Sequence, residues 1–262
     1  LGEATTYYED AKTYFRELES ETDNYRGEYA IWLHALAFVY AQQGLILLAK
    51  PLVREALRIN EGLRFEYNTG LTLSALSGIE RMAREYDRAI RHAQEALEVF
   101  QSLEDPHGTV LAYLSLVQSL RHRAKQLLEN GRKLEEAQQT LEKECLQLAD
   151  RGIQVAEEHS LSSQSQFLAE LGRIHRELGH VIARRYGFAD ALPRYHEAAG
   201  ILRQVLRSWN LPLLVEADIR QDLAEVLFFS RSFRDADIEL KTIEELIGED
   251  YILGDGRQLS RE

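Results

Sequence analysis

Small residues spaced four and then three apart recur along this chain at long intervals. The segments are Ala4/Tyr8/Ala11, Ala49/Val53/Ala56, Ala89/Ala93/Ala96, Cys145/Ala149/Gly152 and Ala191/Tyr195/Ala198. A weaker one is Ala236/Leu240/Ile243, and the steps between segments are 45, 40, 56, 46 and 45 residues. Positions i, i+4 and i+7 share one face of a helix, and small side chains there let a second helix come close. Each segment after the first follows another amphipathic stretch that carries a leucine next to a small residue. These pairs are Leu36-Ala37, Leu76-Ser77, Leu114-Ser115, Leu178-Gly179 and Leu223-Ala224. Rings open several second helices, at Tyr86, Phe188 and Phe233, and polar turns at 104–108 and 208–212 separate repeats. The unit is helix, turn, helix, turn.

The prolines follow the same phase. Pro51 and Pro193 come two residues after the first small residue of a second helix, which predicts positions in first turns, where a missing N–H is tolerated. Pro106 and Pro212 fall between repeats. The 56-residue step holds 16 residues more than the 40-residue one. Shared between two helices, this lengthens a hairpin by about 12 Å at roughly 1.5 Å per residue. Its tip is expected near Asn130-Gly131, a strong turn signal. The extension is either a longer hairpin with no separate role or a projecting contact element.

Leu33-x-x-Leu36-Ala37-x-x-Tyr40, followed by Gly44, Ala49 and Ala56, resembles the tetratricopeptide repeat, as does Leu178-Gly179 with Ala191 and Ala198. The resemblance covers about residues 1–247, with most steps at 40 to 46 residues where the family pattern has about 34. It implies an all-α fold, a right-handed superhelix of antiparallel helix hairpins (an α-solenoid). Residues 1–27 are expected to hold the second helix of a truncated leading repeat. Residues 28–250 are expected to form about five hairpins, the central one extended over about 108–159, and residues 251–262 a polar tail. Leu1-Gly2-Glu3-Ala4 matches the turn inside a repeat, so the expectation is a portion of a longer chain. Repeats of this length resemble the helical sensor regions of bacterial signal-transduction ATPases and multidomain transcription regulators.

Catalytic signatures are scarce. There is no phosphate-binding Gly-x-x-x-x-Gly-Lys-Ser/Thr and no Gly-x-Ser-x-Gly elbow. His175 and His180 are five residues apart, which turns one roughly 140° from the other and rules out shared chelation from one helix face. The other histidines, including His92, His122, His159 and His196, are scattered. Cys145, the one cysteine, stands at a small packing position beside Glu142 and Glu144, a poor setting for a reactive thiol. No enzyme activity, cofactor or metal is expected. The net charge of -12 opposes a nucleic-acid surface, which must neutralise phosphates. Apolar stretches such as 35–39 and 45–49 fall far short of the roughly 20 residues that span a bilayer. The expectation is a cytoplasmic protein with no membrane partner.

Charge is uneven. Residues 159–210 hold 7 basic and 4 acidic residues, and residues 211–262 hold 6 basic and 13 acidic. Arg173, Arg176, His180 and Arg184 form one helical stripe, and Asp218, Gln221, Asp222 and Glu225 another on the next repeat's first helix. In the family, first helices line a concave wall, so the resemblance implies a groove containing both stripes. Either they form a ladder of ion pairs, or the basic one receives an acidic partner segment. The same alignment places Ile31, His34, Phe38, Leu71, Ser74, Met82, Leu116 and Leu120 in the groove's earlier half, where each is core or wall. The candidate partner-binding set is His34, Phe38, Ser74, Met82, Leu116, Arg173, Arg176, His180, Arg184, Gln221 and Glu225. The family's Lys/Asn clamp for a terminal carboxylate is not matched, since His34, Phe38, Ser74 and Gly78 occupy the corresponding positions.

Two functions follow. One is a protein-interaction scaffold or sensor module, part of a larger signalling protein, binding a protein or peptide segment or another domain of its parent chain. The other is a small-molecule or short-peptide receptor that relays binding through a change of superhelix pitch.

Overall fold

The structure is a computed structural model, and it describes residues 23–131 and 133–247 together with positions 6, 10 and 13. The segment Ala4/Tyr8/Ala11, most of the expected leading helix within 1–27, and the tail 251–262 lie outside the described residues. The described residues form helices and turns without a strand. In chain order they are α1 (Asp23–Gln42), α2 (Ile46–Gly62), α3 (Glu66–Met82), α4 (Tyr86–Ser102) and α5 (Pro106–Asn130). Then come α6 (Leu134–Gln139), a π-helical turn (Thr140–Cys145), α7 (Leu146–Glu158), α8 (Gln164–Arg185), α9 (Phe188–Ser208), α10 (Leu213–Phe229) and α11 (Phe233–Ile247). Two compact units result: unit one is Leu1–Arg123 with Asp150–Leu161, and unit two is Ala124–Ala149 with Ser162–Glu262.

One turn recurs at the helix ends. Gly44, Arg64, Arg84, Glu104, Ser160 and Arg231 all have positive φ. In each case the next residue's N–H reaches back five residues, as in Leu45 N to Tyr40 O at 2.8 Å and Phe65 N to Asn60 O at 2.9 Å. This is the Schellman closure, which satisfies the last free carbonyls of a helix. Only the first of the six turns uses glycine. From residue 44 to 104 the turn returns every twentieth residue, which fixes a 40-residue repeat for unit one. At the start of α5, Asp105 accepts hydrogen bonds from the N–H groups of His107 and Gly108 at 3.2 and 3.0 Å, with Pro106 as the first helical residue.

Within unit one, α1 packs on α2, α2 on α3, α3 on α4, and the first helices α1 and α3 touch. Ala49, Val53, Ala56, Ala89, Ala93 and Ala96 are all buried at these crossings. The first helices contribute glycines where second-helix rings intrude. A Cβ on Gly70 or on Gly108 stands 2.8 or 2.1 Å from the buried ring of Phe100, so that ring sits in the space two absent side chains leave. Polar ties bind the same helices. Glu80 of α3, fully buried, meets His92 Nδ1 of α4 at 2.7 Å and Arg54 of α2 at 3.6 Å. In unit two, α8 packs on α9 and α10, and α10 on α9 and α11. Ala191, Tyr195 and Ala198 are buried there, and Gly172 and Gly179 leave room for Leu202 and Tyr195.

Two expectations require correction. Leu114 and Ser115 are only half-buried, and Leu116-Val117, two residues on, is the pair in the core. The 40-residue spacing from Leu36 and Leu76 leads to that position. Pro51 and Pro193 lie in the second turns of α2 and α9, one turn further in than expected. The carbonyls that lose an N–H partner belong to Leu47 and Ala189, both exposed and so open to solvent.

The left-handed turn residues predict two substitutions of opposite sign. Gly44→Ala is expected to lower stability by about 1 kcal/mol, and Arg64→Gly to raise it by up to about 1 kcal/mol. Urea-unfolding midpoints check this; shifts in the same direction contradict it.

Candidate functional site

Helix α8 carries Arg173, Arg176, His180 and Arg184 on one face, and α10, packed against it, presents Asp218, Asp222 and Glu225. The two rows pair. Arg173 Nε lies 2.5 Å from Asp222 Oδ2, and its Nη1 lies 2.7 Å from Glu170 Oε1. Its remaining nitrogen bonds Asp218. Arg176 donates to Asp222 through Nη1, which also lies 3.0 Å from Glu225, while Nη2 reaches Glu177 at 3.0 Å. Only 6% of the Arg176 side chain is exposed. Burial alone pulls both guanidinium groups down in pKa; Asp222 first, then the other carboxylates, hold them well above the ordinary arginine value. The ion-pair ladder is the reading the structure carries. Arg173 and Arg176 are not an open basic patch.

His180 continues the row. The Tyr195 hydroxyl, 2.9 Å from Nδ1, donates to it, which leaves Nε2–H facing Glu225 Oε1 at 3.5 Å. Burial pushes the Glu225 carboxyl up, but the His180 hydrogen bond and the Arg176 charge outweigh burial and hold it at about 2. The Tyr195 phenol is pushed up to about 12 by burial and by the nearby Glu177 and Glu225 charges. The His180 ring meets Phe229 edge-on at 4.6 Å, and Phe229 stacks on Tyr195 at 5.6 Å. Beside these rings unit two has a cavity of about 410 Å³, whose lining includes Lys125, Leu128, His180, Arg184, Phe188 and Tyr195. Arg184 bonds the Leu128 carbonyl oxygen across its wall. Gln221 stands half-exposed and takes no part in the network.

The earlier members of the predicted set lie in unit one. Phe38 is 57% exposed and Met82 45%. His34 is half-buried, and burial lowers its pKa. Leu116 is enclosed in the core, and so is Ser74, whose Oγ has no hydrogen-bond partner among the described residues. Both are core positions, as is Leu120. The 40-residue register corrects the assignment. Ile31, Leu71 and Leu111 occupy one position on α1, α3 and α5, with Ile31 49% and Leu111 40% exposed. Those three helices are neighbours: α1 touches α3, and Ser77 of α3 lies 3.4 Å from Ser119 of α5. Leu111, missed from sequence, was accessible through that spacing. Lys125 and Phe229 had no periodic signal, and Phe188 was legible only as the ring that opens a second helix, because a cavity wall drawn from four helices has no single period.

Among the described residues, no group of three or more His, Cys, Asp or Glu is placed to hold a metal ion, and no helix is long and apolar enough to cross a membrane. A family model described as a tetratricopeptide repeat matches residues 28–102. The structure resembles BtubC (BKLC) from P. vanneervenii at a TM-score of 0.58 and 16% identity, covering 98% of this chain and 93% of that one. It also resembles a putative kinesin light chain of Podosopora anserina with nearly identical TPR-like repeats, at 0.47 and 14%, covering 82% and 92%. A Rap protein complexed with competence and sporulation factor gives 0.49 and 15%, covering 97% and 73%. No curated protein sequence matches the chain. The fold is the all-α tetratricopeptide-type solenoid.

Two predictions test the network. Arg176→Ala takes one partner from each of Asp222, Glu177 and Glu225 inside a buried network and is expected to cost about 3 kcal/mol, with Arg176→Ala/Asp222→Ala costing less than the sum of the singles. Additive losses in urea unfolding contradict this. Glu225 has a folded pKa below its ordinary 4.5, so its contribution is complete above about pH 4.5 and disappears as pH falls toward about 2. Glu225→Gln is therefore expected to cost about 2 kcal/mol at pH 6, to narrow the gap as pH falls below about 4.5, and to converge with the parent protein only near pH 2. A gap independent of pH contradicts the assignment.

Proposed function

We propose that this tetratricopeptide-repeat chain is a cytoplasmic protein-interaction scaffold that holds a peptide segment of its partner along the first helices of unit one. The observation that carries this reading is a row of apolar side chains in one register, exposed at Ile31 and Leu111 and half-buried at Leu71. Ile31, Leu71 and Leu111 recur on three neighbouring helices, with Phe38 and Met82 on the same outward faces. Single exposed apolar residues are ordinary on a protein surface, but a row on adjacent elements is the pattern of an interaction site. Between them stand small or polar residues, Ala35, Ala75, Gly78, Ser115 and Gln118, which give such a surface hollows as well as projections. An amphipathic helix or an extended peptide with apolar anchors suits it. The acidic balance of the chain fits a protein partner better than a polyanion.

The groove set changes accordingly. Ile31, Phe38, Leu71, Met82 and Leu111 replace Arg173 and Arg176, whose charges are consumed within unit two. As the sensor portion of a larger signalling protein, the chain would bind without chemistry and pass occupancy to the domains joined to it.

Selection from a random-peptide display library, followed by affinity measurement on a Phe38→Glu/Met82→Glu variant, tests this. The expected result is peptides with apolar anchors whose binding falls about tenfold or more in the variant, with an unchanged melting temperature. Peptides that bind the variant equally well overturn the proposed surface.

A further inference from the structure

We propose that the cavity of unit two is a binding site for a small organic anion, one carboxylate or phosphate group joined to an aromatic or branched apolar body. The site belongs to unit two, and the proposal does not rest on the peptide surface proposed for unit one. At about 410 Å³ it lies within the size range of small-molecule pockets, roughly 300–1,000 Å³. One side is aromatic: Phe188, Tyr195 and Phe229 line it, and Tyr195 and Phe229 are held rigid by stacking on each other and by the His180 edge. Such a wall accepts a flat or branched apolar group.

The sign of the ligand's charge follows from which lining groups are already engaged. Three carboxylates line the cavity. Glu177 and Glu225 are bonded by Arg176, Glu225 also faces His180, and Glu129 has an interaction of its own. The two cations in the lining are differently placed. Lys125 is half-buried and, among the described residues, makes no hydrogen bond or ion pair. Arg184 donates to the Leu128 carbonyl oxygen, a neutral acceptor that leaves its charge uncompensated and its other N–H groups available. Next to the cavity Arg231 lies 4.8 Å over the ring of Phe188, a third positive charge on the aromatic side. The cavity therefore offers spare positive charge at its rim and apolar surface within. A cationic ligand would meet Lys125 and Arg184 and find the carboxylates occupied.

The test is an NMR titration of the ¹⁵N-labelled chain with three probes of one shape: phenylacetate, phenyl phosphate and phenethylamine. The two anions are expected to shift amide signals of 180–188 and 225–229, with the amine binding at least about tenfold more weakly. Lys125→Ala, which removes no hydrogen bond or ion pair among the described residues, is expected to weaken the better anion about tenfold without altering the melting temperature. Phe188→Ala is expected to weaken it as well. A preference between the anions identifies the head group, and either preference supports the proposal. Equal binding of the amine, an anion affinity unchanged by Lys125→Ala, or no shifts from either anion at about 10 mM overturns it.

Discussion

Close approach between helices is the constraint on which this structure depends. A lone hairpin of a repeat protein cannot bury its apolar faces, so each must be covered by its neighbours. How near those neighbours come is decided by what is missing from their surfaces. Ala89, Ala93 and Ala96 let α4 lie tight in its repeat, and Gly70 and Gly108 make the space that the Phe100 ring fills. In unit two the same device recurs with Gly179 against Tyr195 and Gly172 against Leu202. Small residues alone would leave voids and large ones alone would hold the helices apart, so the alternation is what brings the packing to interior density.

Unit two adds a second kind of fastening. Apolar contact between α8 and α10 is supplemented by charges, of which Arg173, Arg176 and Asp222 are largely removed from water. A buried ion pair is costly to desolvate, and its net contribution is small compared with the damage done when one partner is lost. Its effect is on register: Arg173 and Arg176 fit their carboxylates in one alignment of α8 against α10, and a slip by a turn strands several charges together. Arg173 and Arg176 therefore stand outside the proposed binding surfaces, which draw on the apolar row of unit one and on the cavity beside His180.

Much of this architecture was legible in the sequence, and the reason is geometric. Ala49/Val53/Ala56 and Ala191/Tyr195/Ala198 announce helix crossings because close packing forbids larger groups there, and a forbidden size leaves a mark on composition. The opposed stripes of charge on α8 and α10 were legible for the same reason. Whether they pair with each other was not, since pairing depends on distance across two helices and not on periodicity along one. Leu114-Ser115 was mistaken for the core pair because a leucine and a small residue also occur two positions from the true site, and a shift of two turns a helix face away. The turn at Leu63-Arg64-Phe65 contains no glycine, proline or asparagine, yet it has the same backbone as the turn at Gly44. Packing of the helices on either side imposes it. The cavity was invisible for a further reason: Tyr195 reads as one member of a small-residue row, and its role as a wall emerges only where α8, α9 and α10 meet.

Arg173 and Arg176 act as internal fastenings, and this can be measured without altering the protein, by side-chain ¹⁵N NMR of the arginine Nε–H and Nη–H groups. Two guanidinium groups held by carboxylates on several sides should show protected Nε–H signals and slowed rotation about the Nε–Cζ bond, assigned by their loss in Arg173→Lys and Arg176→Lys. If instead both arginines exchange with water and rotate as exposed side chains do, the ladder is not formed, and the basic stripe returns as a surface for a partner.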